Sequence, residues 1–152
     1  MPGYRGHLAG GAIAYGITVY LLQSLHPSAI TLIEWLGFAL IGSLFPDVDT
    51  KSKGQKLFYS VFGITCIGLA IEGKFKIISG LAILGILPLL VHHRGLFHRI
   101  WFVIGLPLFI VWLGSLWAPA LTRSMLFDAL FFIVGAISHL WLDLGLRRML
   151  RF

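Results

Sequence analysis

Six apolar stretches, separated by short polar ones, constrain this chain more than any other feature. They cover roughly residues 8–25, 31–45, 57–71, 77–91, 100–117 and 125–146. Charged residues are 12% of the 152 and apolar ones 58%, with a mean hydropathy of +0.91. A soluble domain carries about 25% charged residues, and a water-facing surface cannot be built from half that amount. The chain therefore reads as an integral membrane protein. Lipid admits only helices or closed barrels, because every backbone N–H and C=O must be satisfied within the span. The runs lack the period-two alternation of barrel strands. The expectation is an all-α, polytopic membrane helical bundle with about six transmembrane or membrane-embedded helices, one domain over residues 1–152.

The third and fourth runs hold only about 15 residues each, against about 20 for a typical span. Either they cross by recruiting polar flanks and thinner bilayer, or they are re-entrant. No early charged, apolar and small-residue cleavage pattern marks a signal peptide. The single cysteine, Cys66, excludes an intrachain disulfide and reads as a small buried hydrophobe. Gly6, Gly10 and Ala14 form a small-residue stripe that lets helices approach closely in lipid. Thr31 and Glu34 have the spacing of a capping box at the second helix start.

A formal net charge of +6 fits cytoplasmic loops against anionic headgroups better than nucleic acid. Membrane lipids are the expected partners and no nucleic acid is expected. Six alternating crossings place Arg5, Lys51, Lys53, Lys56, Arg94, Arg99, Arg147, Arg148 and Arg151 at one membrane face. The other face receives Lys74, Lys76 and Arg123. The positive-inside rule then makes the richer face, with both termini, cytoplasmic.

The same alternation gathers the metal-ligating residue types at the cationic face. His139 and Asp143 are four apart, so they lie on one side of a helix. Ionisable groups in an apolar span are costly and mark functional sites, although a structural hydrogen bond between the two would also satisfy this spacing. Asp47 and Asp49 follow the helix-stopping Pro46; carboxylates with imidazoles are the ligand set of hydrolytic zinc or manganese sites. His93 and His98 flank Gly95 in the polar stretch from His92 to Arg99. Arg94 offers a planar donor fork suited to phosphate oxygens, while Arg99 reads as an interfacial anchor. His92 is a spare ligand or an interfacial residue. His7, at a helix start, suits ligation or a helix-terminal role equally. No H-E-x-x-H, G-x-S-x-G or P-loop pattern occurs, which disfavours zincin-type proteolysis, a nucleophile elbow and nucleotide hydrolysis.

Pro46-Asp47-Val48-Asp49, His93-Arg94-Gly95-Leu96-Phe97-His98 and Ser138-His139-Leu140-Trp141-Leu142-Asp143 together resemble the YdjM-like family of small inner-membrane proteins. That family is described as metal-dependent hydrolases and looks distantly similar to zinc-dependent phospholipase C and the S1/P1-type nucleases. His7 matches the family's early histidine. The chain departs from the family pattern at Thr50-Lys51, where His-Pro is frequent, and at Leu146, where threonine is frequent.

The resemblance implies hydrolysis of a phosphoester, with a lipid or lipid-linked phosphate as substrate, at the cytoplasmic face of the inner membrane. Its metal would be one or more divalent ions, zinc or alternatively manganese. The candidate ligands are His7, Asp47, Asp49, His93, His98, His139 and Asp143. Seven exceed one tetrahedral site, so two ions or some outer-shell members are expected. Asp49 is the candidate proton acceptor and Arg94 the candidate phosphoryl contact. A non-enzymatic metal-binding or metal-transporting membrane protein, and a structural subunit with a decayed site, are the rival readings. The apolar middles of the spans argue against a transport path.

Overall fold

The computed structural model describes residues 3–48, 53–71, 73 and 96–149. Within these, every regular element is helical. Helix α1 covers Tyr4–Leu21, α2 Ala29–Leu44, α3 Lys53–Ile71, α4 Ile100–Trp117 and α5 Thr122–Met149. Short 3-10 turns lie at Gln23–Leu25, Phe45–Asp47, Leu96–His98 and Pro119–Leu121. The fourth apolar run, residues 77–91, lies outside the described residues, as do Asp49, His92, His93, Arg94 and Gly95.

Three segments are long and apolar enough to cross a membrane: Ala29–Asp47, Ile100–Trp117 and Pro119–Gly145. Helices α1 and α3 are of similar length, but their first turns carry Arg5 and His7, and Lys53 and Lys56. The expectation of about six spans thus finds three among the described residues. Apolar side chains stand outward along these helices, among them Ile30, Trp112, Leu116 and Trp117. That outer surface fits hydrocarbon rather than water.

The boundaries follow local chemistry, with one correction at the start of α2. Its cap is Ser28, whose hydroxyl accepts the Thr31 N–H at 3.2 Å. Thr31 therefore sits inside the first turn and Glu34 is too far along to complete a capping box. The polar residues Lys53–Lys56 join α3 rather than preceding it, and residues 122–124, expected as a turn, open α5. Cys66 is half-buried rather than buried.

The bundle is centred on α5, which packs against α1, α2 and α4. Trp35 of α2 stacks on Phe131 of α5 with ring centroids 4.7 Å apart. A second buried group joins Val103 of α4 to Ala136 and Leu140 of α5. Two glycines decide how close α2 and α5 come. A Cβ on Gly42 would strike the carbonyl of Phe132, and one on Gly135 the carbonyl of Ala39. The two backbones touch there, as small residues permit in lipid-embedded bundles. Of the stripe expected on α1, Gly10 faces Leu142 and Ser138. Its neighbour Gly11 lies against Ser43.

Candidate metal centre

The start of α1, the end of α2, the start of α4 and the last third of α5 meet at one end of the bundle. Each brings a side chain there for a local reason. His7 is in the first turns of α1. Pro46 fixes the 3-10 turn that follows α2, and Asp47 closes it. His98 ends the turn leading into α4. His139 and Asp143 stand one turn apart on α5, just before the chain bends at Gly145, whose φ of 67° is reached at little cost only by glycine.

Asp47, His98, His139 and Asp143 each offer one ligand atom, and these atoms all lie within 4.8 Å of one another. His139 Nε2 is 3.6 Å from Asp47 Oδ1 and 3.7 Å from Asp143 Oδ2. His98 Nε2 is 3.8 Å from Asp47 Oδ1. These separations exceed the roughly 2.7–3.2 Å of a direct hydrogen bond. Two donors bound about 2.1 Å from one tetrahedral ion stand roughly 3.4 Å apart. The spacing therefore suits atoms around a shared cation better than atoms bonded to each other.

The tautomer of His139 follows from its second-helix partner. Its Nδ1 is 2.8 Å from the carbonyl of Ser43, and a carbonyl can only accept, so Nδ1–H donates. Nε2 is left with its lone pair aimed into the cluster, the orientation that a metal-binding histidine needs. His139 is fully buried and its Nε2 has no hydrogen-bond partner. Asp143 is nearly as enclosed, at 3% side-chain exposure, and its Oδ1 is buried without such a partner. A carboxylate out of water is costly unless a cation or donors compensate it. Asp47, at 27% exposure, provides the cluster's contact with the outside.

His7 stands beside this group rather than within it. Its ring stacks on His139 with centroids 3.8 Å apart, and its Nε2 is 3.4 Å from Asp143 Oδ1. Asp143 thus turns one oxygen to each histidine. Of the seven expected ligands, the structure brings four into one cluster and places His7 against it. Asp49 and His93 lie outside the described residues, as does Arg94.

The sequence reading missed four residues, three beside the centre and one at the start of α1. The Ser43 carbonyl orients His139, but a backbone acceptor leaves no mark in residue identity. Phe45 and Phe97, adjacent to the ligands, pack edge-on at 5.3 Å. They read only as apolar residues in sequence. Tyr4 lies at the start of α1, with Lys53 Nζ 4.2 Å from its ring centroid and Arg5 Nε donating to its hydroxyl at 3.2 Å. These two cations, Arg5 first, hold its phenol below the ordinary value. The contact also puts the starts of α1 and α3 together.

Comparison with curated proteins finds no match, and neither does comparison with solved structures. The family model of the YdjM inner membrane protein matches residues 1–148, a stretch that contains every ligand of the cluster. The chain belongs to the YdjM inner membrane protein family.

Proposed function

We propose that this protein is a membrane-embedded metal-dependent hydrolase that cleaves a phosphoester of a lipid or lipid-linked substrate. The observation that carries the reading is the set Asp47, His98, His139 and Asp143, with both histidines buried and the four ligand atoms spaced for a shared cation. Nitrogen and oxygen donors together suit zinc, and manganese as the second choice. A divalent ion held there supplies an acidified water and a polarised phosphoryl oxygen.

The protein's own groups have separate tasks in this reading. The Ser43 carbonyl fixes Nδ1 as the protonated nitrogen of the neutral His139 ring and leaves the Nε2 lone pair aimed inward. His7 shares the Asp143 carboxylate and either adds a ligand or steadies that carboxylate. Asp49, two residues beyond Asp47, is the candidate acceptor for the proton released by the attacking water. Arg94, four residues before His98, is the candidate donor to the phosphoryl oxygens. Similarity to zinc phospholipases and nucleases, drawn from the motifs, supports phosphoester chemistry over other hydrolysis. The cationic residues assigned to the ligand-bearing face support a cytoplasmic site in a multi-pass protein.

The test is metal content of the purified protein beside a screen of phosphodiester and phosphomonoester substrates, with His139→Ala as control. Metal and turnover present in the wild type and lost together in His139→Ala are the expected result. Turnover that is unchanged in the variant, or absence of bound transition metal in an active wild type, overturns the proposal.

A further inference from the structure

A cavity of about 380 Å³ lies between α2, α4 and α5, and it is not part of the cluster of ligands. Its described lining is apolar except for Asp128. At one end it reaches Phe45, Phe97 and Phe132; at the other it reaches Gly114, Met125 and Asp128. Phe45 lies in the same 3-10 turn as Asp47, and Phe97 precedes His98. Cavity and metal centre therefore share an aromatic wall.

Depth decides what such a cavity can hold. On α5, Phe132 is seven residues from His139, roughly 10 Å along the axis at 1.5 Å per residue. On α4, the lining runs from Leu106 to Gly114, roughly 12 Å by the same rise. If Pro119–Gly145 is centred in a hydrocarbon layer of roughly 30 Å, Asp143 falls near one headgroup boundary, and the cavity lining from Phe132 to Met125 runs from the middle roughly 10 Å toward the other. A polar group at the ligands and an apolar chain running inward is the layout of a single-chain amphiphile. A water-soluble phosphoester would leave the cavity without a complementary group.

We propose that this cavity is the chain-binding subsite for the metal centre's substrate. It takes one hydrocarbon chain of a phosphate-bearing amphiphile whose ester lies at Asp47 and His98. The assignment rests on the hydrolase reading for the fate of the headgroup, but the chain's place is testable without turnover. Gly114 and Met125 form the far stop: a Cβ on Gly114 would lie 2.8 Å from the Met125 sulfur. Asp128, the one ionisable group of the described lining, ends the region that hydrocarbon can fill.

The probe is a homologous series of n-alkyl phosphates carrying a photoreactive group near the chain end, applied to the full-length protein in lipid nanodiscs. Crosslinks read by mass spectrometry are expected on the α4 segment from Leu106 to Gly114. Each buried methylene contributes about fourfold in affinity. Gly114→Leu is thus expected to weaken capture of the longest chains about tenfold, while short chains bind as before. Ile110→Trp, at a half-exposed position less demanding for folding, narrows the same cavity and is expected to act likewise. Crosslinks scattered over the outward faces, as for annular lipid only, overturn the proposal. So does a chain-length profile unchanged in both variants. Cavity labelling with no hydrolysis of any alkyl phosphoester by metal-loaded wild type would remove the hydrolase reading and leave the chain site standing.

Discussion

Gly135 sits where the fold and the metal centre depend on the same contact, so Gly135→Ala tests the link between them. The added Cβ would fall on the carbonyl of Ala39, an oxygen of helix backbone that cannot rotate away. Restoring an ordinary contact of roughly 3.5 Å requires α2 and α5 to part by about 1.5 Å. One turn further along, His139 Nδ1 donates to Ser43 at 2.8 Å, and a shift of that size takes the bond past hydrogen-bonding range. Overpacking of this kind costs about 1–3 kcal/mol, and a buried donor left unpaired costs a further 1–3 kcal/mol or so. About 4 kcal/mol together corresponds to roughly 8–16 °C in Tm for a chain of this size. Loss of the group that orients a ligating histidine lowers metal affinity by about 10–100-fold. The assays are thermal unfolding and chelator competition, each on the purified protein in one detergent. The comparison variant is Gly37→Ala, whose new Cβ meets nothing within 4 Å; it is expected to be neutral or to stabilise by about 0.5–1 kcal/mol. Wild-type Tm and wild-type metal affinity in Gly135→Ala would refute the argument that backbone contact here sets the histidine.

Metal removal and the Tyr4 cluster offer two further checks. Chelation is expected to lower Tm and added zinc to restore it, since an ion at 100 times its Kd stabilises the folded state by about 2.7 kcal/mol; Asp143→Asn should abolish this response, and an unchanged response would remove Asp143 from the ligand set. The Tyr4 phenol is expected to ionise at lower pH than an ordinary tyrosine because Arg5 and Lys53 favour the phenolate. Lys53→Ala should move its ionisation upward, read by ultraviolet difference titration against Tyr4→Phe, and no upward movement would show that the two helix starts are not in contact.

Much of the ligand set was legible because its residue types are rare in an apolar chain. His139 and Asp143 stand four apart in a helix, so one α-helical turn already places them together. Asp47 and His98 could be assigned to the same face only by counting crossings; the structure brings them within 3.8 Å, while the fourth run between them lies outside the described residues. The start of α2 was read one turn late because Thr31 and Glu34 imitate a cap that Ser28 in fact supplies. Local spacing alone does not separate those alternatives, since either hydroxyl can accept a backbone N–H. Of the small-residue stripe of α1, Gly10 meets a neighbour, and so does Gly11, which the stripe did not include, because which glycines do so depends on the rotation of the helix as well as on their spacing.

By itself the sequence determined that this chain is helical and membrane-embedded. Its charge is too sparse for a wet surface, and lipid leaves backbone polar groups no partner but each other. It also marked Asp47, His98, His139 and Asp143 as candidates, since ionisable groups persist in such a setting when something compensates them. Tertiary structure decided how those groups face one another. Direct backbone contact at Gly42 and Gly135 brings the Ser43 carbonyl to His139, which sets the tautomer and the inward lone pair. The same packing of α2, α4 and α5 leaves an apolar cavity behind Phe45 and Phe97. Neither feature is written in residue type, because both arise from the distance between helix axes.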